Sequence, residues 1–76
     1  MKQFTAIIHE ESLSTGEAVF VAHCPEIDVT SQGATADEAR ANLKEAVEGV
    51  FEVASPEEIA RRLSEGASVE PLEVAA

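Results

Sequence analysis

Two histidines and one cysteine are the side chains in this 76-residue sequence that could most readily bind a metal ion or act as nucleophiles. His23 and Cys24 are adjacent, and adjacent residues of a strand point to opposite faces, which is poor geometry for joint coordination. His9 ends the preceding strand-like segment. Surface histidines and a small buried thiol are the simpler interpretation of all three residues. We therefore expect no metal site and no cofactor.

The remaining polar residues do not form a recognisable catalytic set. The fifteen acidic residues are spread too evenly to single out a general acid and base. Ser12, Ser14 and Thr15 lie in a turn-like segment without the Gly-x-Ser-x-Gly elbow that exposes a nucleophilic serine. Gly16 and Gly33 lack the spacing of a phosphate-binding loop. The sequence therefore predicts a protein that is not an enzyme.

The net charge of the chain limits the kinds of molecule that it can bind. Fifteen acidic residues against five basic ones give a net charge of −10 and a pI of about 4.4. This charge repels the phosphates of nucleic acids and anionic membranes, so we expect neither as a direct partner. A basic protein would be attracted over long range. The alternative is that the charge only provides solubility.

No targeting signal is evident. No apolar run approaches the ~20 residues of a membrane span, and the first residues lack a signal-peptide pattern. One cysteine cannot form an internal disulfide, so nothing indicates a cross-linked secreted domain. We expect a soluble cytoplasmic protein.

The chain is long enough for one small domain, residues 1–76. Residues 4–9 and 17–24 are rich in strand formers and are separated by a polar connection that contains a glycine. Pro25 stops the second strand, and residues 29–33 predict a short, polar third strand. These segments predict a three-strand antiparallel meander.

Two helices are predicted after the strands. A capping box at residues 35–38 precedes apolar residues that recur every three or four positions over residues 36–54. A second box at residues 55–58, with proline at the first helical position, predicts a shorter helix that ends near Gly66.

Residues 67–74 alternate apolar and acidic side chains and predict a fourth strand, which Pro71 restricts to a sheet edge. A right-handed crossover would place this strand beside the first and parallel to it. The expected fold is an α+β two-layer sandwich of order βββα(α)β. Val19 and Val21 fall on the sheet face away from the first helix, which implies either contact between chains or burial under the second helix. We expect a homo-oligomer, most simply a dimer.

Two segments resemble a known family. Residues 16–25 read Gly-Glu-Ala-Val-Phe-Val-Ala-His-Cys-Pro, and residues 30–46 hold a helix-entry pattern carried by Thr35, Glu38, Ala39, Asn42, Glu45 and Ala46. From about Phe4 to Val50 the chain is similar to the HicB-like antitoxin family. It departs from the family at residues 27–29, where a Pro-Gly-Cys turn is common. Full-length members of the family add a C-terminal DNA-binding domain, and we expect none within these 76 residues.

The resemblance implies a partly ribonuclease-H-like βββαβ fold without ribonuclease activity. It also implies that the chain neutralises a small basic RNA-cleaving toxin, a HicA-like protein, by covering its RNA-binding face. Charge and exposure, rather than a family motif, suggest the partner-binding residues Glu10, Glu11, Val19, Val21, Glu26 and Asp28. The alternative is an orphan HicB-like domain that acts in self-assembly or another protein contact, without a toxin.

Overall fold

The computed structural model describes residues 3–75 as three strands followed by two helices. The elements are β1 (Ile7–Ser12), β2 (Ala18–Cys24), β3 (Val29–Gly33), α1 (Ala36–Val53) and α2 (Pro56–Glu65). The strands form one antiparallel sheet in the order β1-β2-β3, so β2 is central. The α+β class, the antiparallel meander and both helices are therefore confirmed.

β1 lies further along the chain than the predicted residues 4–9. The Thr5 N–H donates to both carboxylate oxygens of Glu26, at 3.0 and 3.1 Å. The start of the predicted strand is thus bound to a side chain rather than to a neighbouring strand. The ladder begins only where Ile7 lies opposite His23.

The hairpin between β1 and β2 explains why β1 continues past its predicted end. Ser12 still pairs with Ala18, and a tight turn connects the two strands. In this turn the Gly16 N–H donates to the Leu13 carbonyl at 2.9 Å, and Gly16 has a φ of 89°. A glycine adopts this left-handed conformation without steric cost.

Both helices begin where the capping boxes predict. The Thr35 hydroxyl accepts from the Glu38 N–H at 3.1 Å, and the Ser55 hydroxyl accepts from the Glu58 N–H at 3.2 Å. Glu38 also reaches back to the Ala34 N–H at 3.4 Å. These bonds satisfy backbone donors that have no partner inside the helix.

α1 packs across one face of the sheet through small side chains. Ala39 of α1 is fully buried in one cluster with Ala22 of β2. Gly33 permits this close approach, because a Cβ there would lie 2.6 Å from the backbone nitrogen of Ala39. The buried apolar residues of the described chain form a small core of Ala22, Cys24, Ile27, Ala39 and Leu43.

α2 packs at the end of the sheet rather than on either face. Its last turn lies beside the loop after β2, where Arg62 and Gly66 line a small cleft with Ile27 and Asp28. No helix within residues 3–75 has the length and apolar character needed to cross a membrane.

Residues 67–75, which we call the tail, do not form the fourth strand predicted over residues 67–74. The Ala67 N–H donates to the Pro25 carbonyl at 2.8 Å, which anchors the start of the tail. Beyond this anchor the tail is exposed, and Leu72 and Val74 are 86% and 73% accessible. The parallel pairing with β1 is therefore not formed, because a tail this exposed gains too little burial to offset the conformational entropy lost in ordering a strand.

The chain exposes more surface than a compact domain of its mass. Its accessible area is 5837 Å² at 8.0 kDa, against about 4,450 Å² for a compact monomer. Its radius of gyration is 14.4 Å, whereas about 11 Å is usual for this length. About 1,400 Å² of surface is therefore exposed in excess of that scaling.

Candidate protein-binding surface

The face of the sheet opposite α1 is covered by neither helix. We call it the outer sheet face. The strand register assigns to it Ile7, His9 and Glu11 of β1, Val19, Val21 and His23 of β2, and Thr30 and Gln32 of β3. The predicted burial of this face under the second helix is not found, because α2 makes no substantial contact with the strands.

The outer sheet face has an apolar centre and a polar surround. Val19 and Val21 are half-buried by the flanking strands, and Ile7 is exposed beside them. Glu11 lies opposite Val19, and its carboxylate is 3.1 Å from Nε2 of His9. Both predicted partner-binding valines and one predicted acid therefore share one surface.

The loop after β2 places a second predicted acid at the rim of this face. Asp28 is exposed, with a φ of 54°, and its Oδ1 lies 3.6 Å from Nε2 of His23. The other ring nitrogen of His23 is 2.7 Å from the hydroxyl of Thr30. His23 thus lies on the outer sheet face while Cys24 is buried beneath it, as the alternation of strand residues predicts.

The other two predicted acids lie elsewhere. Glu10 is exposed but pairs opposite Phe20, so it points to the face of the sheet that carries α1. Glu26 is half-buried and turned into the body of the protein. The structure therefore brings together four of the six candidates: Glu11, Val19, Val21 and Asp28.

Glu26 links the N-terminal segment to the loop after β2. Besides the Thr5 N–H, its carboxylate accepts from the Thr5 hydroxyl at 2.6 Å and from the Cys24 thiol at 3.4 Å. Burial alone would raise the pKa of Glu26, but the hydrogen bonds that its carboxylate accepts, those from the Thr5 hydroxyl and amide foremost, together outweigh burial and hold the pKa below its ordinary 4.5. These bonds give Glu26 a structural role that sequence reasoning did not identify.

Cys24 is a poor nucleophile because its surroundings keep the thiol protonated. Burial raises the pKa of its thiol, and the hydrogen bond to Glu26 raises it further because the thiol must stay protonated to donate. The thiolate is the reactive form of cysteine, so this residue acts as a small core side chain.

Glu26 should make folding stability depend on acid pH. Because its pKa is lower in the folded chain, its carboxylate stabilises the fold above about pH 4.5 and loses that effect as the pH falls through the folded pKa. We expect Glu26→Gln to lower the free energy of unfolding by about 1–3 kcal/mol at pH 7, and the gap from the wild type to narrow towards pH 3.

Urea unfolding of both proteins at several pH values measures this gap. Glu52→Gln is the control, because Glu52 is exposed and its replacement reports the general effect of removing one negative charge. If the difference in free energy of unfolding stays constant from pH 7 to about pH 3, the stabilising role given to the ionised Glu26 carboxylate is wrong.

A groove of about 980 Å³ lies between the N-terminal residues 4–6 and α1. Its apolar lining includes Phe4 and Phe51, whose ring centroids are 5.6 Å apart. Arg40 and Lys44 of α1 also line it. This groove was not among the features predicted from the sequence. The one sequence signal for it was the length of α1. Its 18 residues span about 27 Å and extend beyond strands of five to seven residues, which leaves part of α1 uncovered by the sheet.

The outer sheet face is an open surface. Its row of Thr30, His23 and Asp28 has a hydroxyl, an imidazole and a carboxylate, and of these three residues only Asp28 lines a cavity, the small cleft beside α2. Within residues 3–75 no three His, Cys, Asp or Glu side chains are grouped to hold a metal ion. Comparisons with protein-family models, curated proteins and solved structures gave no match to this chain.

Proposed function

We propose that this chain is a cytoplasmic, non-catalytic module of the HicB-like type that covers the RNA-binding face of a small basic RNA-cleaving protein. The observation that supports this proposal is the outer sheet face: two half-buried valines, uncovered by either helix, with Glu11 and Asp28 beside them. An apolar centre within a polar rim is the usual anatomy of a protein interface.

Charge favours a basic partner. The net charge of −10 attracts a basic protein and repels the RNA that this protein binds. The acidic residues would therefore compete with RNA phosphates for the same lysine and arginine side chains. Val19 and Val21 would supply the apolar contact that slows dissociation once the partner is bound.

Co-purification of the tagged chain from its cells, with mass spectrometry of the bound proteins, tests this proposal. We expect a short basic protein whose RNA cleavage is suppressed when purified chain is added. Replacing both Val19 and Val21 with threonine keeps the strand-forming β-branched shape but removes apolar contact. This double variant should suppress cleavage at least about tenfold less effectively, which corresponds to about 1.4 kcal/mol.

Val53→Thr is the matched control, because Val53 is 87% exposed on α1, away from the outer sheet face. Binding should also weaken as salt increases, since exposed charges are screened. A basic partner that binds the double valine variant as tightly as the wild type would contradict the proposed surface. Suppression that does not change with salt would contradict the role of charge.

Self-assembly is the second candidate. The observation that favours it is the excess accessible area of about 1,400 Å², since chains that lack a compact surface of their own commonly complete it with another copy. Light scattering at micromolar concentration should then give the mass of a dimer. A monomeric mass would exclude self-assembly in that range and leave the basic partner as the remaining proposal.

A further inference from the structure

We propose that two copies of this chain exchange their tails. The tail of each copy adds a strand to the free edge of β1 in the other copy, and its side chains fill the groove between residues 4–6 and α1. This inference rests on the self-assembly candidate and names its site. It leaves the outer sheet face free, so it does not depend on a basic partner.

The free edge of β1 is the natural acceptor for a strand. β1 is the first strand in the order β1-β2-β3, and no described residue pairs with its other edge. An unpaired edge presents a row of N–H and C=O groups that another extended segment can bond. The tail, with 67–75 described, is as long as the six-residue β1 requires.

Pro71 determines which residues of the tail can bond to β1. Proline has no N–H, so in an edge strand it must lie at a position whose backbone points to solvent. The N–H groups of the residues on either side then point towards β1. Alternation also places Glu70, Leu72 and Val74 together on one face of the strand, and Val69 on the other.

The face that carries Leu72 and Val74 matches the groove. Both side chains are largely exposed in the single copy. The groove is lined by the half-buried apolar side chains of Phe4, Val47 and Phe51, with the core residue Leu43 beneath them. Covering both sets at once removes apolar surface from water on each side.

The groove also offers two cations to the tail. Arg40 and Lys44 are two of the five basic residues of the chain, and both line the groove, together with the acidic Asp37 and Glu48. Neither forms an ion pair among residues 3–75, whereas Arg61 and Arg62 pair with glutamates of α2. Glu70, on the same face as Leu72, would bring a carboxylate to these two unpaired cations.

The bond between Ala67 and Pro25 favours exchange of tails between copies over a tail that folds back onto β1 of its own copy. The tail starts at Pro25, beyond the end of the central strand β2. Reaching the far edge of β1 in the same copy means crossing two strand spacings, about 10 Å, which takes about three residues. About six residues would then remain, and because the tail starts at the end of the sheet where β1 begins, they would run parallel to β1. Leu72 and Val74 would then lie along β1, away from the groove beside residues 4–6. The tail of a second copy can instead run antiparallel to β1, which brings Leu72 and Val74 to the start of β1, next to the groove.

The area is sufficient for a stable dimer. A typical protein interface buries about 800 Å² on each partner. The chain exposes about 1,400 Å² beyond the scaling for a compact monomer, so burying little more than half of this excess would reach that amount. Reciprocal exchange also closes the assembly at two copies, since the two tails and two grooves satisfy each other.

Two experiments test the exchange. The first compares the dissociation constant of the dimer, measured by light scattering or ultracentrifugation over a range of concentrations. The variant with Leu72→Glu and Val74→Glu should raise it at least about tenfold. Val53→Glu, a charge placed on an equally exposed valine outside the groove, should leave it within about threefold. If the tail variant leaves the dissociation constant of the dimer unchanged, self-assembly stands and tail exchange is wrong.

The second experiment distinguishes exchange from folding back. In a Cys24→Ala background, Ala41→Cys in the groove is combined with Leu72→Cys in the tail. Oxidation should give a covalent dimer on a non-reducing gel. The pair Glu45→Cys and Leu72→Cys is the control, because Glu45 is exposed on α1 and does not line the groove. A cross-link within one chain, or an equal dimer yield from the control pair, would overturn the proposal.

Discussion

Replacing Gly33 with alanine is expected to destabilise the fold by about 2–3 kcal/mol. The added Cβ would lie 2.6 Å from the nitrogen of Ala39 and 2.9 Å from the carbonyl carbon of Glu38. Both are backbone atoms of the first turn of α1, so no side chain can rotate away to make room. α1 would have to move off the sheet, which would loosen the core cluster that holds Ala39 and Ala22.

Gly49→Ala is the control for this prediction. Gly49 lies within α1, and a Cβ there would meet nothing within 4 Å. Alanine should therefore stabilise the helix by about 0.5–1 kcal/mol, because glycine loses more backbone freedom on folding. Urea unfolding followed by circular dichroism measures both variants. Equal effects of the two substitutions would show that α1 does not approach β3 as closely as described.

Leu43→Ala is expected to cost about 3–4 kcal/mol, the loss for a buried leucine that leaves a cavity. Leu43 is 4% exposed and is one of five residues in the core cluster. A chain of this length has a total stability of only about 4–11 kcal/mol. The variant should therefore unfold at much lower urea concentration, or be partly unfolded without denaturant.

Val53→Ala is the matched control on the same helix. Val53 is largely exposed, so its truncation should change the free energy of unfolding by less than about 0.5 kcal/mol. Because Leu43 also lines the groove, both variants should be measured at several protein concentrations. A loss for Leu43→Ala of under about 1 kcal/mol at every concentration would contradict its place in the core.

The two proposed interfaces occupy different sides of the molecule. The outer sheet face lies opposite α1, and the groove lies between α1 and residues 4–6, which precede β1. A dimer formed by tail exchange would therefore leave two outer sheet faces accessible, one for each copy. One assembly could then bind two basic partners without competition between the interfaces.

Local signals in the sequence predicted the elements well. Capping boxes at Thr35 and Ser55 depend on side chains within four residues, so they are readable without a fold. The alternation along β2 also placed Val21 and Cys24 on opposite faces, because the period of a strand is local. The position of β1 was less predictable, since the bond between Thr5 and Glu26 joins residues far apart in sequence.

Composition, charge and short-range pattern were thus enough to determine that this is an acidic α+β chain with an antiparallel meander and two capped helices. Only the tertiary structure decided that Glu26 is turned inward, that α2 leaves the outer sheet face open, and that the tail lacks a strand partner in one copy. The physical reason is distance along the chain. Propensity and periodicity act between neighbouring residues, whereas packing depends on which distant surfaces meet.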